Sequence, residues 1–244
     1  MDLNFDFGGL SLDGLTLDLG DFNLDGEETK VQTRIIQPRM DKNILLQKSQ
    51  FAHAEDFTDE IDLSGKTRTF AWISGDFVFG DILEALETRR GISIRELYIS
   101  TLSLSEANLE SWRRLMEHDK MQRFDLLISS YFYSHEKNGL IPKIYEHLDY
   151  KNIFQVAFGP YHCKLMCFLT EDGKKVTIHG SANARSNTGV EHIMVELDEA
   201  LYDFNVDHIH DVVTRYGTIN HSAKPQSRAE VRKYFNELRK KKTG

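Results

Sequence analysis

The chain has 244 residues, of which 40% are hydrophobic, enough for one well-formed core with room for tails. Its net charge of −8 by itself disfavours a polyanionic partner, and its two cysteines are too few for a disulfide framework. No signal-peptide pattern opens the sequence and no apolar run is long enough to cross a bilayer, so we expect a cytoplasmic protein that does not bind membranes.

The first segment, residues 1–28, alternates leucine and phenylalanine with aspartate, asparagine and glycine. It holds eight acidic residues and no lysine or arginine, so that the rest of the chain carries 30 acidic and 30 basic residues. Glycine and mutually repelling carboxylates disfavour a packed element, and we therefore predict a disordered acidic tail. Such a tail is suited to binding a partner protein or to inhibiting its own chain by occupying a basic cleft.

Residues 29–66 are predicted to be an extension or linker, and the main domain is expected over residues 67–220. Strands alternate with helices along that domain. The predicted strands are Thr67–Ile73, Arg95–Thr101, Phe124–Tyr131, Ile153–Phe158 and Val190–Leu197, and the predicted helices are Gly80–Arg90, Glu106–Met121, Leu140–Leu148 and Val206–Tyr216. This alternation predicts an α/β fold with a mixed, largely parallel β-sheet flanked by helices on both faces.

The last segment, residues 221–244, is basic and is predicted to form a helix from Ser227. Between residues 228 and 244 there are seven lysines and arginines but only two glutamates. A neutral body with a basic end can bind a phosphate backbone locally, so the net negative charge does not exclude nucleic acid. The segment is suited equally to a nucleic-acid arm and to a solubilising end.

A hairpin is predicted around Asp172–Gly173, because Asp-Gly between two apolar runs favours a two-residue turn. In the register that this turn sets, Lys164 faces Ser181 and His162 faces Asn183. Neutral imidazole can attack phosphorus, and a neighbouring ammonium can hold the phosphate oxygens and stabilise charge in the transition state. The hydroxyl and amide groups are suited to holding the remaining oxygens. This arrangement favours phosphoryl transfer.

Glu191 shares strand parity with the apolar residues Ile193 and Val195. A carboxylate on an apolar face needs a partner, and orienting the imidazole of His162 is one such role. A solvated carboxylate at a strand end is the alternative. Two further residues, Arg185 and Asn187, follow the motif closely and either contact phosphate or belong to a solvated loop.

His162-x-Lys164, the hairpin, Gly180-Ser181-x-Asn183 and Glu191 together resemble the phospholipase D superfamily, and in particular its small single-motif, metal-independent nucleases. The alternation of predicted strands and helices resembles that of the superfamily from about residue 67 to residue 216. One position departs from the family pattern, since Leu169 stands where an aspartate is usual. His135-Glu136-Lys137 repeats the spacing with no Gly-Ser-x-Asn behind it, so we interpret His135 as a loop residue near substrate.

The resemblance implies a mechanism that uses two histidines and neither metal nor cofactor. One histidine attacks phosphorus to give a phosphohistidine, and the other protonates the leaving oxygen and then activates water. Because the chain has one complete motif, the resemblance implies a two-fold homodimer with His162 of each subunit facing the other. Residues 67–220 would then be the catalytic domain.

Three functions are compatible with these features. The first is hydrolysis of nucleic-acid phosphodiester bonds, with DNA favoured over RNA. The second is a non-catalytic nucleic-acid-binding or assembly protein on the same fold, against which the presence of both His162 and Lys164 argues. The third is a phospholipid phosphodiesterase, which we rank lower because the sequence has no membrane anchor and no amphipathic basic-aromatic helix.

Overall fold

The structure, a computed structural model, describes residues 45–51, 53–65, 67–74, 77, 79–118, 120–186, 189–217 and 227–240. The acidic segment 1–28 lies outside these ranges, as does the predicted contact residue Asn187. The roles proposed for them therefore stay predictions.

Eight strands form a single sheet in the described part of the chain. They are β1 (Leu45–Phe51), β2 (Thr67–Ser74), β3 (Ile94–Thr101), β4 (Arg123–Ser129), β5 (Phe154–Gly159), β6 (Leu165–Thr170), β7 (Lys175–Gly180) and β8 (Val190–Glu196). Their order across the sheet is β1-β2-β8-β7-β6-β3-β4-β5. The segment predicted to be an extension or linker thus contributes β1, which pairs in parallel with β2.

The sheet is mixed, as predicted, but it is not largely parallel. Of the strand contacts among the described residues, β1–β2, β3–β4 and β4–β5 are parallel, whereas β2–β8, β8–β7, β7–β6 and β6–β3 are antiparallel. The difference arises because the β6–β7 hairpin and β8 lie in the middle of the sheet, between β2 and β3. Strands joined by short turns must be antiparallel, so this insertion makes the centre of the sheet antiparallel.

Helices cover both faces of the sheet, which confirms that prediction. The helices are α1 (Ala54–Glu60), α2 (Phe79–Arg90), α3 (Glu106–Glu117), α4 (Ser130–Glu136), α5 (Leu140–Leu148), α6 (Glu199–Tyr216) and α7 (Arg228–Lys240). Phe57, Leu83, Trp112 and Ile144 bring α1, α2, α3 and α5 into one core. On the other face α6 packs over Tyr98, Leu127 and Cys167. None of the helices described here has the length and apolarity that a bilayer-spanning segment needs.

The β6–β7 hairpin turns through three residues, Glu171–Gly173, and not through the predicted two. Gly173 N donates a hydrogen bond to Thr170 O over 3.0 Å, and Thr170 N donates to Lys174 O over the same distance. Gly173 has a φ of +86°, a backbone conformation that favours glycine. A type I turn followed by a left-handed glycine is the usual geometry of a three-residue hairpin loop.

The longer turn displaces the pairing by one residue from the predicted register. Leu165 pairs with His179, and Gly180 N donates to Lys164 O over 3.3 Å, so Lys164 lies opposite Gly180 and not opposite Ser181. The predicted register is therefore wrong. Because helices cover both faces of this sheet, residues of both parities are apolar, and alternation alone fits either register. The turn geometry decides between them.

One edge of the sheet collects the ends of most strands. β2, β3, β4, β5 and β7 end there, and β6 and β8 begin there. The connection from β5 to β6, residues 160–164, crosses this edge past the ends of β4 and β3, because β6 lies beyond β3. This connection carries His162. Strand ends in such sheets are the usual place for a site.

A buried polar network holds the segment that follows β7 against the helices. Ala184 N donates to Thr101 Oγ1 over 3.1 Å, and Ala184 O accepts from Asn108 Nδ2 at 2.7 Å and from Ser105 N at 3.0 Å. Asn108 Oδ1 in turn accepts from Gly80 N over 2.9 Å. A single amide on α3 thereby joins the start of α2 to residues 182–184, which lie at the edge described above.

Replacing Asn108 with alanine should lower the free energy of unfolding by about 2–4 kcal/mol, because it removes the side-chain acceptor of the buried Gly80 N–H and one of the two hydrogen bonds to Ala184 O. Urea unfolding monitored by circular dichroism measures the change. The control is Asn205→Ala on α6, where the amide donates only to Leu201 O within its own helix, at 2.8 Å. We expect less than about 1 kcal/mol there. Equal losses in the two variants would contradict the proposed role of Asn108 in joining α2 to residues 182–184.

Candidate functional site

His162 and Lys164 lie together at the edge of the sheet. Lys164 Nζ is 2.7 Å from His162 Nδ1 and 3.1 Å from His162 O. His162 is exposed and Lys164 is half-buried. The lysine donates, so a neutral imidazole accepts at Nδ1 and carries its proton on Nε2. In this arrangement Nε2 of His162 is a hydrogen-bond donor.

The ammonium of Lys164 lies in a partly dehydrated place beside opposite charge. Burial lowers the pKa of Lys164 below its usual value, whereas the nearby Cys163 and the carboxylate of Glu191 act in the opposite direction. Glu191 is therefore within electrostatic reach of Lys164. A lysine of this kind is charged at neutral pH yet poorly hydrated, which strengthens its attraction for an anion.

Ser181 is fixed on the first residues of β8. Its Oγ donates a hydrogen bond to Glu191 Oε2 and accepts one from His192 N over 3.1 Å. Ser181 N also donates to His192 O over 3.0 Å. These bonds place the hydroxyl and the carboxylate together one residue beyond Gly180, which lies opposite Lys164. The half-buried Lys164, Ser181 and Glu191 thus form one cluster.

Gly180 is required by the close approach of β7 and β8. A Cβ atom at this position would lie 2.0 Å from His192 O, so no other residue fits without moving the backbone. The glycine of the Gly-Ser-x-Asn motif thereby allows Ser181 to reach Glu191. Its role is packing, and it supports the chemistry only through that contact.

Asn183 lies between two buried alanines, Ala182 and Ala184. Its side-chain Oδ1 is buried and has no hydrogen-bond partner among the residues that the structure describes. A buried polar atom in this state costs about 1–3 kcal/mol, and such costs concentrate at functional positions. The hydrogen bonds of the neighbouring Ala184, and not bonds of its own Oδ1, hold Asn183 in place.

The structure brings His162, Lys164, Ser181 and Glu191 to the same edge, but it gives Glu191 a different contact from the predicted one. The carboxylate accepts a hydrogen bond from Ser181, whereas Nδ1 of His162 is bonded to Lys164. The role of Glu191 in orienting His162 therefore stays a prediction.

The residues predicted to contact substrate are placed as follows. Arg185 is exposed and directly follows the tethered Ala184. The interpretation of His135 as a loop residue is wrong, because the helix α4, capped by Ser129, includes it. Its ring lies against Tyr131 with 4.0 Å between the centroids, and its Nδ1 is 2.8 Å from Tyr131 O. Both residues follow strand ends at the site edge. Their contact with a substrate stays a prediction, as does that of Asn187.

Sequence reasoning missed two supports of the site. The first is Asn108, and the sequence contains a signal for it. It is a polar residue on the buried side of a predicted amphipathic helix, next to Leu109. Tyr161, which precedes His162, is buried beneath α6, where its ring meets that of His208 at 6.0 Å. No local pattern indicates that contact, since it depends on the path of α6 across the sheet.

Comparisons with known proteins leave the interpretation of the site to its own geometry. No family model matches the sequence, and no curated protein matches it. Among solved structures, a phosphatidylserine synthase from Haemophilus influenzae Rd KW20 is similar over 72% of this chain, with 13% sequence identity and a TM-score of 0.44. The match spans 46% of that chain, so this protein covers about half its length.

Lys164 should titrate at a lower pH than an ordinary lysine, whose pKa is about 10.4. Its charge is lost as the pH rises through the lowered pKa, and Glu191→Gln should lower that pKa further by removing the opposing carboxylate. NMR titration of labelled lysine side chains measures both effects, with the signal assigned by its loss in Lys164→Arg. Lys175 is the internal control, because its hydrogen bond to Asp203 raises its pKa. Coincident titration of Lys164 and Lys175 would refute the interpretation.

Proposed function

We propose that the protein is a phosphodiesterase that hydrolyses nucleic-acid phosphodiester bonds through a phosphohistidine, without a metal, in a site shared by two subunits. The observation that carries the proposal is the contact between His162 and Lys164 at the exposed edge of the sheet, at 2.7 Å. An imidazole next to a partly dehydrated ammonium suits a reaction in which negative charge develops on phosphate oxygens.

The proposed reaction has two steps. In the first, Nε2 of one His162 forms a bond to phosphorus while the bond from phosphorus to the leaving oxygen breaks, and that oxygen takes the Nε2 proton of the other His162, which acts as an imidazolium and becomes neutral. In the second, water attacks phosphorus, its proton passes to the second histidine, and the bond between phosphorus and the first histidine breaks. Lys164 stabilises the phosphate oxygens in both steps, and Asn183 is suited to hold one of them.

The two histidines need different protonation states at the same time, so one copy of the motif supplies one of the two roles. The acid is an imidazolium with a proton on each ring nitrogen, and the attacking His162 is neutral with its proton on Nδ1. In both roles Nδ1 carries a proton, so Lys164 leaves its contact with Nδ1 and turns towards phosphate. One chain supplies one such motif, and a second copy supplies the other role.

His162→Ala should abolish cleavage of labelled oligonucleotides, whereas EDTA should leave the wild type active. The reason is that neither the nucleophile nor the acid survives the substitution, while no step needs a metal. The matched control is His118→Ala, an exposed histidine paired with Glu87 at 2.8 Å on the helical face. Gel electrophoresis of mixed single- and double-stranded DNA and RNA reads the result. Loss of wild-type activity in EDTA would exclude the metal-free mechanism.

The same assays separate the alternatives. Nucleic-acid binding in a gel shift without cleavage under any condition would favour the non-catalytic binding or assembly protein. Turnover of phosphatidylcholine vesicles without turnover of oligonucleotides would favour the phospholipid phosphodiesterase. Either result would overturn the proposed substrate while leaving the geometry of the site unchanged.

If two subunits share the site, inactive subunits should inhibit active ones by forming mixed dimers with them. When wild type is mixed with excess His162→Ala and allowed to exchange, activity should fall with the square of the wild-type fraction, because a mixed dimer lacks one histidine. The active species should have about twice the chain mass of 28.2 kDa in light scattering. Excess His118→Ala is the control and should not inhibit. Activity that falls only in proportion to dilution would show a self-sufficient monomer.

A further inference from the structure

The helix α7 presents a row of basic and amide side chains to solvent. Arg232, Asn236 and Lys240 follow one another at intervals of four residues, and Lys233 lies beside them, so the four share one face. All four are exposed. From Arg232 to Lys240 the helix rises by roughly 12 Å, which matches about three nucleotide steps along a nucleic-acid helix. We call these four residues the basic ridge.

The acidic residues of α7 are engaged elsewhere. Glu230 accepts a hydrogen bond from Ser227 N at 2.6 Å, while Ser227 Oγ accepts from Glu230 N at 3.2 Å, which is a capping box at the start of the helix. Glu237 pairs with Arg215 of α6 at 3.4 Å. Two carboxylates of α7 are thus used in starting and in docking the helix.

The helix is docked onto the layer that supports His162. The ring of Phe235 stacks on His208 of α6 with 5.8 Å between centroids. His208 also contacts Tyr161, which directly precedes His162, at 6.0 Å between centroids. Burial lowers the pKa of His208, so the ring that joins these two aromatic residues is neutral near pH 7. Two ring contacts therefore connect α7 to the connection that carries the candidate nucleophile.

We propose that the basic ridge of α7 binds the sugar-phosphate backbone of a nucleic acid and holds it beside His162. What happens to that backbone at His162 rests on the proposed function, whereas the binding itself does not. A row of exposed cations along a rigid helix complements an extended polyanion. An anionic membrane is the weaker match, because the ring of Phe235, although 47% exposed, is stacked on His208, and a surface-bound helix needs its apolar side for the acyl chains.

The test compares two charge reversals of equal size. Arg232→Glu/Lys233→Glu alters the ridge. Lys120→Glu/Lys174→Glu alters the exposed Lys120 and the half-buried Lys174, which pair with Glu171 and Asp172 at the far, turn end of the β6–β7 hairpin. Fluorescence anisotropy of labelled single-stranded and duplex DNA in EDTA measures affinity from low to physiological salt. Circular dichroism confirms that both full-length variants fold.

The ridge variant should lose roughly tenfold or more in affinity at low salt, and the slope of log K against log salt should fall by about two, one for each lost phosphate contact. The control variant should bind like the wild type. Phe235→Ala, which loosens α7 from His208, should weaken binding while leaving the charge unchanged. Equal losses in the ridge and control variants would overturn the proposal, because they would indicate an effect of net charge alone.

Two other results would also overturn it. The first is undiminished DNA binding by the ridge variant, and the second is ridge-dependent binding to anionic phosphatidylserine vesicles with none to DNA. Turnover of the wild type is scored separately on a small phosphate diester. Ridge-dependent binding with no turnover would refute the proposed function alone, whereas turnover with ridge-independent binding would refute the ridge alone.

Discussion

The register of the β6–β7 hairpin is the constraint on which the candidate site depends. Gly173, with its positive φ, makes a three-residue turn, and this turn puts Lys164 opposite Gly180. Because Gly180 has no side chain, β8 can approach β7 closely enough for Ser181 to bond Glu191. In a register shifted by one residue, Ser181 and not Gly180 would lie opposite Lys164. A turn at one end of the hairpin thereby arranges the chemistry at the other.

The positive charge of Lys164 and the negative charge of Glu191 lie close enough at this edge to stabilise each other. Burial alone would drive Lys164 towards its neutral form, and the carboxylate of Glu191 opposes that effect. Glu191 is in turn stabilised by the hydroxyl of Ser181. An arriving phosphate would find an ammonium whose water has already been removed in part, so less desolvation remains to be overcome on binding. This is a physical reason for the cluster to include a carboxylate although its substrate would be an anion.

Much of the fold follows from periodicity, and the exceptions follow from caps and tertiary context. Helix α5 begins and ends where its apolar pattern predicts, at Leu140–Leu148. Helix α4 was missed, because Ser130–Tyr133 is aromatic and reads as a continuation of β4, yet Ser129 Oγ accepts from Phe132 N at 2.9 Å and starts a helix there. Helix α6 begins earlier than predicted, where Asp198 caps Leu201 N at 2.8 Å. The central position of the β6–β7 hairpin in the sheet depends on tertiary packing, which no local sequence pattern indicates.

The identity of the site residues could be predicted more fully than their bonds. The spacing of His162, Lys164 and the later Ser181 and Asn183 indicates phosphate chemistry without a structure, since few other roles need an imidazole, an ammonium and two small polar groups at one strand end. Which nitrogen of His162 carries the proton depends on a contact of 2.7 Å with Lys164. The spacing of residues along the sequence does not determine side-chain contacts at that scale. A neutral ring that accepts from Lys164 at Nδ1 would become an imidazolate if it gave up its Nε2 proton, and it becomes an imidazolium or an Nδ1-protonated nucleophile only when Lys164 turns away from it. Movement of Lys164 from His162 to phosphate is therefore the step that would prepare His162 for either role in the proposed mechanism.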